Sequence, residues 1–407
     1  MFAQRARRAL TAFRLALAAF LVVFSTSQVL ADAGFQRWVA EFRQVALQNG
    51  ISAATYDRAF RGITAPDPEV LEKARYQPEF RAEPWEYFDN RVNEHAIATG
   101  RQMAAQLRPW LDRIESQYGV SRYILLAIWS MESSYGEALK NERVMRSVPR
   151  SLATLAYADS RRAKFARTQL LAALKILQSG DIDVKHLSGS WAGAMGHTQF
   201  IPTSYQAYAV DMDRDGRRDI WGSVPDALAT AANLLKKNGW RSGETWGYEV
   251  TLPEGRKFPA GTMSLAKWQS IGVVRANGKG FPRPSDNAEL KVPDGRAGPA
   301  FLMTKNFFVL KRYNNADTYA LAVGLLADAI AGHGGLVRDW NRPFERLSFT
   351  ETQELQQRLG TLGYYSGPID GKIGSGSREA IRAFQQRVGV SADGHPSKDV
   401  LHRLRGN

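Results

Sequence analysis

The sequence predicts a mainly α-helical protein with a small β-containing insert and a separate three-helix domain at the C-terminal end. Three observations indicate this fold class. From Phe35 to about Lys237, apolar residues recur at intervals of three and four, as in FQRWVAEFRQVAL. Between Thr245 and Asp294, short alternating pieces such as WGYEVTL stand among Gly and Pro residues, which favours strands. The segment 350–407 has a helical pattern of its own. With 407 residues, the chain is long enough for two or more domains.

The N-terminal segment differs from the rest of the chain. Four arginines lie in the first fourteen residues, next to the apolar run from Leu15 to Phe24, and VLADAG follows with small residues. This pattern is typical of a secretory signal peptide, here residues 1–31, and cleavage after Ala31 would leave a mature chain that begins at Asp32. The alternative is a membrane anchor, but the run is short for about 30 Å of hydrocarbon.

Composition narrows the classes of function. The absence of cysteine excludes disulfides, thiolate catalysis and cysteine-bound zinc. The formal net charge is +14, and loss of the four signal arginines leaves +10 for the mature chain. Such a surface suits nucleic acid, an anionic membrane face or an acidic cell-wall polymer. Secretion and the lack of a basic run with interleaved aromatics disfavour nucleic acid.

One acidic residue stands out in the helix SRYILLAIWSMESSYGEALK. Ser121 is a candidate N-cap, the residues from Tyr123 to Trp129 are apolar on every side, and Gly136 is a candidate terminator. Glu132 therefore lies at the end of a buried helix, where a carboxylate is costly unless it is paired or neutral. The plain alternative is that Glu132 turns outward or pairs with an arginine such as Arg143.

The segment GSWAGAMGHTQFIPTSYQAYAVDMDRDG, residues 189–216, has neither helical nor strand periodicity. It combines small residues, aromatics and amide or hydroxyl groups, which is typical of a loop shaped around a ligand. Its end, DMDRDGRRD, has acids at the first, third, fifth and ninth positions of an EF-hand-like loop and Gly216 at the sixth. The twelfth position is Gly222 instead of glutamate, so the spacing leaves both a structural calcium site and a metal-free acidic turn open.

The C-terminal segment predicts a compact three-helix domain. A short helix and a long Gly-rich turn precede a helix for which Ser377 is the candidate N-cap and Glu379 the acid of the first turn. A third short helix ends the chain. About 55 residues suffice for a domain that folds alone.

Three motifs together resemble the lytic murein transglycosylases of the B type: MESSYG, GAMGHTQFIPTSY and RYNNADTYALAV. The resemblance covers about residues 35–340. The stretch LQQRLGTLGYYSGPIDGKIGSGSREAIRAFQQ resembles the three-helix peptidoglycan-binding domain. The implied organisation is a lysozyme-like catalytic domain at 32–340 with its insert at about 245–294, a linker at 341–349 and a peptidoglycan-binding domain at 350–407.

The resemblance implies cleavage of peptidoglycan between N-acetylmuramic acid and N-acetylglucosamine, with a 1,6-anhydro end as the product. Glu132 would serve first as acid and then as base, without any cofactor. The implied partner is the glycan strand, not nucleic acid. With the signal peptide, the resemblance implies a periplasmic, monomeric protein of the Gram-negative envelope, with the membrane surface or cell-wall synthesis proteins as candidate further partners.

The matching motifs also imply roles for other residues. Ser190 and Gln199 match contacts to N-acetylmuramic acid and its acetamido group. Asn314 matches the residue that orients the reacting sugar, with Tyr313 as a stacking wall. Two arginines, Arg161 and Arg162, could meet the carboxylates of the peptide stem. The structural alternatives are a helix cap for Ser190, a loop staple for Gln199 and a solvated face for the arginines. The family often has an aromatic residue where this chain has His197. Relatives use an acid a little beyond the twelfth loop position, which Asp226 could supply to complete the metal ligands Asp211, Asp213, Asp215 and Asp219.

The candidate functions of Glu132 differ in the number of carboxylates that they need. Common glycosidases need two carboxylates, about 5 Å apart for retention or about 6.5 to 9.5 Å for inversion. The nearest second acid, Glu137, lies about 500° further around a helix, off the face of Glu132. A single acid suits internal attack by the substrate's own hydroxyl, and we expect burial to raise its pKa. A lysozyme-type hydrolase and a wall-binding scaffold without catalysis stay as alternatives.

Overall fold

The structure is a computed structural model that describes residues 33–75, 83–141 and 144–406. The predicted signal peptide at 1–31 and the predicted partner Arg143 lie outside the described residues. Within the described ranges, no helix is long and apolar enough to cross a membrane. The described part of the chain divides into two compact units, the first from residues 33–75, 137–141 and 144–227, the second from residues 83–136 and 228–406.

The first unit is helical apart from one short antiparallel strand pair. Its helices are α1 (33–48), α2 (Ala53–Phe60), α3 (Pro68–Arg75), α8 (Val148–Ala158), α9 (Ala163–Ser179) and α10 (Pro202–Tyr208). A 3₁₀ turn covers Glu137–Lys140, and β1 (Arg146–Ser147) pairs antiparallel with β2 (Ser188–Gly189). Helices α8 and α9 pack closely, and α2 and α10 pack on α9. Local sequence sets these ends: the Ser147 side chain accepts the backbone N–H of Arg150, and Gly180 ends α9 in the left-handed conformation.

The second unit contains the helix that carries Glu132. Its first helices are α4 (Pro84–Arg91), α5 (Glu94–Gln106), α6 (Arg108–Tyr118) and α7 (Arg122–Ser133). The helix α11 (Val224–Lys237) continues from the first unit into the second, and α12 (Leu265–Ser270), α13 (Lys305–Tyr313) and α14 (Asp317–Ala331) follow. Helix α7 packs against α5, α6 and α14. Its apolar residues from Ile124 to Trp129 are buried, as the sequence predicts, whereas Tyr123 is half-buried. Ser121 is the N-cap by position, but its side chain makes no capping hydrogen bond.

The β-containing part forms one antiparallel sheet in the second unit. Its strands are β3 (Gly247–Thr251), β4 (Thr262–Ser264), β5 (Val274–Arg275), β6 (Asn287–Lys291) and β7 (Ala300–Met303), in the order β4-β6-β7-β3-β5. Trp268, Leu265 and Phe281 cover one face of the sheet. The sheet extends past the predicted end of the insert at 294 and includes β7. The sequence pattern does not show β7 as a strand, because it is buried on both faces and lacks the alternation of apolar and polar residues.

The C-terminal segment forms three helices, α15 (Phe349–Thr361), α16 (Ser375–Arg387) and α17 (Lys398–Arg405). A capping box of Ser348 and Glu351 starts α15. The predicted N-cap Ser377 is wrong: Gly374 precedes the helix, and Ser377 lies inside α16. Ser377 is buried there, with its Oγ 3.4 Å from the Nε2 of Gln356, so it has a buried polar partner instead of an end position.

Candidate active site

Glu132 lies in the last turn of α7 and is half-buried. The hydroxyl of Tyr319, a buried residue in the first turns of α14, donates a hydrogen bond to its Oε1 at 2.6 Å. Among the described residues, no donor bonds the second oxygen, Oε2. The carboxyl therefore has one oxygen fixed by the protein and one oxygen left for another molecule.

The surroundings of Glu132 bring its pKa close to neutral pH. Burial raises its pKa to about 7, while the hydrogen bond from Tyr319 and the charge of Arg91 act in the opposite direction. The predicted raised pKa is therefore found. Trp129, one turn earlier and 3% exposed, stands edge-on to Tyr135 with 5.5 Å between ring centroids and contributes to this apolar environment. Within the described part of the chain, no second carboxylate shifts the pKa of Glu132.

Two aromatic rings form a wall beside the carboxyl. Tyr313, at the end of α13, stacks on Tyr319 with 6.3 Å between centroids and 8° between planes. Asn314 follows as the C-cap of α13 and is exposed. The structure thus places the ring of Tyr313 against that of Tyr319, the hydrogen-bond partner of Glu132, and exposes the next residue, Asn314.

Two residues of α4, Arg91 and Tyr87, lie near Glu132 and are not predicted from the sequence. Arg91 donates from Nη1 to the backbone oxygen of Met131 at 3.1 Å, directly before Glu132. Its guanidinium lies 5.8 Å from the ring centroid of Tyr87, whose pKa is raised by burial first and by the Glu132 charge in part. No motif marks α4 in the sequence. Tyr319, by contrast, stands inside RYNNADTYALAV, so that motif offered a signal for it.

The turn after Glu132 has an unusual backbone. Ser134, Tyr135 and Gly136 all have positive φ, at 51°, 58° and 90°. For the two residues with a Cβ, this left-handed conformation costs on the order of 1 kcal/mol each. Gly136 follows the helix end at Ser133 by three residues, and the Tyr135 hydroxyl holds the turn by donating to the Ala96 carbonyl at 2.8 Å. Glu137 lies beyond this end and pairs with Lys140 at 2.7 Å.

The first unit holds Ser190 and Gln199 in one irregular loop. The Ser190 Oγ accepts the backbone N–H of Ala194 at 3.1 Å, and the Gln199 Nε2 donates to the Gly196 carbonyl at 2.9 Å. Gln199 has a φ of 48°, a left-handed conformation that its local bonds sustain. Burial lowers the pKa of His197 to about 4, so this side chain is neutral at pH 7. Both predicted sugar contacts therefore also brace their own loop.

The two predicted arginines differ in their surroundings. Arg162 pairs with Asp159 at 2.6 Å, and its guanidinium lies 5.6 Å from the ring centroid of Trp191. Arg161 is mostly exposed, with its Nε 3.9 Å from the Asp159 carboxylate. Arg161 is therefore the more exposed and more loosely paired of the two, whereas Arg162 is held by an acid and an aromatic ring.

The acid loop, residues 211–226 of the first unit, gathers three of its five predicted metal ligands. Single carboxylate oxygens of Asp211, Asp213 and Asp226 lie within 4.8 Å of one another. Asp215 instead pairs with Arg217 at 2.9 Å. Asp219 accepts the backbone N–H groups of residues 221 and 222, at 2.9 and 2.8 Å. The loop therefore concentrates negative charge at three carboxylates, not five.

Comparison with known proteins accounts for both parts of the chain. Residues 34–328 match the family described as Transglycosylase SLT domain, and residues 350–404 match the peptidoglycan binding domain. The chain is 32% identical to membrane-bound lytic murein transglycosylase B of Escherichia coli over 225 residues, which are 54% of this chain and 60% of that protein.

Two solved structures extend the comparison. SltB3 from Pseudomonas aeruginosa in complex with NAG-NAM-pentapeptide is 47% identical, with a TM-score of 0.73 over 91% of this chain and 99% of that chain. Escherichia coli Slt35 in complex with calcium is 25% identical, with a TM-score of 0.60 over 74% of this chain and 93% of that chain. The predicted fold class is confirmed. The chain belongs to the lytic transglycosylase family of the SLT domain and carries a C-terminal peptidoglycan-binding domain.

Proposed function

We propose that this protein is a lytic transglycosylase that cleaves peptidoglycan glycan strands between N-acetylmuramic acid and N-acetylglucosamine, leaving a 1,6-anhydro end. The observation that carries the proposal is Glu132 itself, a carboxyl with a pKa of about 7 whose Oε2 accepts no hydrogen bond from the described residues. The relative SltB3, seen with NAG-NAM-pentapeptide, supports the choice of polymer.

The chemistry needs one group that gives a proton and then takes one back. Protonated Glu132 transfers its proton to the glycosidic oxygen, and the bond between that oxygen and the anomeric carbon breaks. The Glu132 carboxylate then removes the proton from the C6 hydroxyl of the same sugar, whose oxygen bonds the anomeric carbon. No water enters, and Glu132 ends protonated. A pKa near 7 serves both directions, since an acid and base work best near the operating pH.

The surrounding residues have supporting roles in this scheme. The Tyr319 hydroxyl stabilises the carboxylate formed in the first step. We assign to Tyr313 a stacking contact with a sugar ring and to Asn314 the orientation of the reacting sugar. For Ser190 and Gln199 we propose the contacts to N-acetylmuramic acid that the resemblance implies. Arg161, with its exposed side chain, suits a stem carboxylate better than Arg162, which Asp159 and Trp191 hold.

Product analysis tests the proposal. Residues 32–407 would be incubated with cell-wall sacculi, and the soluble fragments would be weighed by mass spectrometry. We expect anhydro-ended fragments, their loss by a factor of about 10³ in Glu132→Gln, and full activity in the control Glu137→Gln. Fragments heavier by one water would indicate a hydrolase instead. Sacculi that are bound but uncut by the wild type would indicate a scaffold.

We also propose that the acid loop binds calcium as a structural ion. Three carboxylates within 4.8 Å repel one another, and a cation would relieve this repulsion. The relative Slt35 has been seen with calcium. Because Gly222 stands where a bidentate glutamate would be, we expect weak binding. Calcium at millimolar concentration should raise the melting temperature by a few degrees, magnesium should do less, and Asp213→Asn should abolish the difference. Equal melting with calcium and with chelator would contradict the site.

We propose that the protein is exported to the periplasm by the segment 1–31 and acts there as a monomer. Cell fractionation and N-terminal sequencing test this, with Asp32 as the expected first residue. A retained N-terminus in the membrane fraction would indicate an anchor.

A further inference from the structure

We propose that the C-terminal domain is part of the scaffold that positions Glu132, and that it acts through Asn90 and the helix α4. The inference rests on the proposed function for its meaning. It differs from a tether, in which the domain binds the polymer and leaves the chemistry untouched.

The helix α4 presents two neighbouring faces to two different partners. Tyr87 and Arg91, four residues apart, face the end of α7, where Arg91 bonds the carbonyl of Met131. Glu86 and Asn90 face the C-terminal domain. They are also four residues apart, and each precedes a residue of the first pair by one position. Residues four apart on a helix share a face, and a shift of one position turns the contact by about 100°. One rigid helix thus connects both sites.

The contacts on the second face are specific and partly buried. Asn90 accepts the backbone N–H of Ile373 at 2.9 Å and donates to its carbonyl at 3.0 Å. Arg378 of α16 forms an ion pair with Glu86, and both side chains are largely buried. A buried ion pair and a two-way amide contact fix orientation as well as distance. The domain is therefore held against α4 in one position.

The segment of the C-terminal domain that meets Asn90 is itself held from within. The buried side chain of Gln356 donates to the Lys372 carbonyl at 2.9 Å and accepts the Gly371 N–H at 2.9 Å. The Lys372 ammonium donates to the Ser134 Oγ at 3.2 Å, in the left-handed turn that directly follows Glu132's helix. Two routes therefore lead from the C-terminal domain to Glu132: Asn90 through α4, and Lys372 through the turn.

The predicted consequence concerns the chemical step on substrates too short to reach the C-terminal domain. Asn90→Ala removes both bonds to Ile373 and loosens α4, so Arg91 holds the end of α7 less firmly. Loss of positioning should lower kcat on a short soluble glycan by about tenfold. The charge of Arg91 lowers the pKa of Glu132, so the pKa should move upward in Asn90→Ala, in the same direction as in Arg91→Met.

The experiment combines that kinetic test with a readout that needs no activity. The carboxyl of Glu132 is titrated by NMR in full-length protein labelled with ¹³C-glutamate, with the signal assigned by Glu132→Gln. Asn90→Ala and Glu86→Gln are compared with the wild type and with Arg405→Gln, whose ion pair with Glu354 lies within the C-terminal domain. Melting curves confirm that each variant is folded.

We expect an upward pKa shift and a lower kcat for Asn90→Ala, a smaller change for Glu86→Gln and none for Arg405→Gln. An unshifted titration in both α4 variants, with only the affinity for sacculi reduced, would overturn the proposal and leave a tether. If the wild type made no anhydro products, the proposed function would fail, while the titration would still decide whether the C-terminal domain positions Glu132.

Discussion

Two carboxyls of this protein, the half-buried Glu132 and the buried Asp226, both have raised pKa values, to about 7 and about 6. Burial is the main cause in each case. They differ in what their oxygens contact. Asp226 accepts three backbone N–H groups of its own loop, from Met212, Asp213 and Asp219, at 2.6, 3.3 and 2.8 Å. Glu132 accepts one hydroxyl.

The comparison shows that a raised pKa alone does not identify a catalytic acid. Perturbed carboxyls occur in structural networks as well as in active sites. Asp226 has its oxygens occupied by the loop that it closes, whereas Glu132 keeps one oxygen unoccupied within the described residues and stands beside a stacked pair of tyrosines. Free hydrogen-bonding capacity beside an aromatic wall separates the catalytic candidate from the structural one.

Substitution of Asp226, the carboxyl with a structural role, should change the free energy of unfolding the most. Asp226→Ala would leave three backbone N–H groups without their acceptor, at about 1 kcal/mol each. We expect the free energy of unfolding to fall by about 3 kcal/mol at pH 5, measured by urea denaturation with chelator present. The pKa of Asp226 is about 6 in the folded chain and ordinarily 3.8, so the wild type loses stability as pH rises from 3.8 to 6. The variant has no carboxyl to ionise and does not lose this stability. The difference in free energy of unfolding between wild type and variant should therefore be smaller at pH 8. A neutral effect at pH 5 would show that these bonds contribute little.

The second effect is that of Glu132→Gln, which should raise the free energy of unfolding instead of lowering it. Below its ordinary pKa of 4.5, the carboxyl is protonated in both folded and unfolded chains. Between 4.5 and about 7 the folded chain alone keeps the proton, so the wild type loses stability as pH rises. Glu132→Gln avoids this loss. With allowance for partial exposure, we expect it to raise the free energy of unfolding by about 2 kcal/mol at pH 8 and to change little at pH 4. Equal pH profiles would indicate an unperturbed Glu132.

Sequence predicted Glu132 and its helix because both depend on local pattern. Seven apolar residues in succession indicate a helix buried on every side, and an acid at its end is then conspicuous. The three-helix C-terminal domain follows from the same periodicity. The starting point of α16 was misplaced at Ser377 because a buried serine that pairs with Gln356 has the same local signature as an N-cap.

Sequence could not predict the partners of Glu132. Tyr319 lies 187 residues away along the chain, and α4 reaches α7 only in the folded protein. Neither contact leaves a periodic trace. The acid loop shows the same limit. The EF-hand-like spacing predicts four converging carboxylates, to which the resemblance adds Asp226, but the local backbone turns Asp215 toward Arg217 and Asp219 toward its own N–H donors. Spacing thus indicates which residues can converge, and tertiary packing decides which do.

The smallest effect concerns the hydrogen bond that Glu132 accepts from Tyr319. Tyr319→Phe removes the only donor to Glu132 among the described residues and keeps the ring that stacks on Tyr313. The lost bond lowers the pKa of Glu132 in the wild type, so the pKa should rise above about 7 in the variant. In the proposed scheme Glu132 acts first as an acid, so the alkaline limb of the pH profile for kcat should move to higher pH. In that scheme the carboxylate formed in the first step also loses its donor, so kcat at the optimum should fall by about tenfold, or about 1.4 kcal/mol. Tyr313→Phe, which keeps the Tyr319 bond, is the matched control and should leave the limb in place. A limb that moves to lower pH in Tyr319→Phe would mean that Tyr319 supports the protonated form, and the hydroxyl would then be an acceptor from Glu132 instead of its donor.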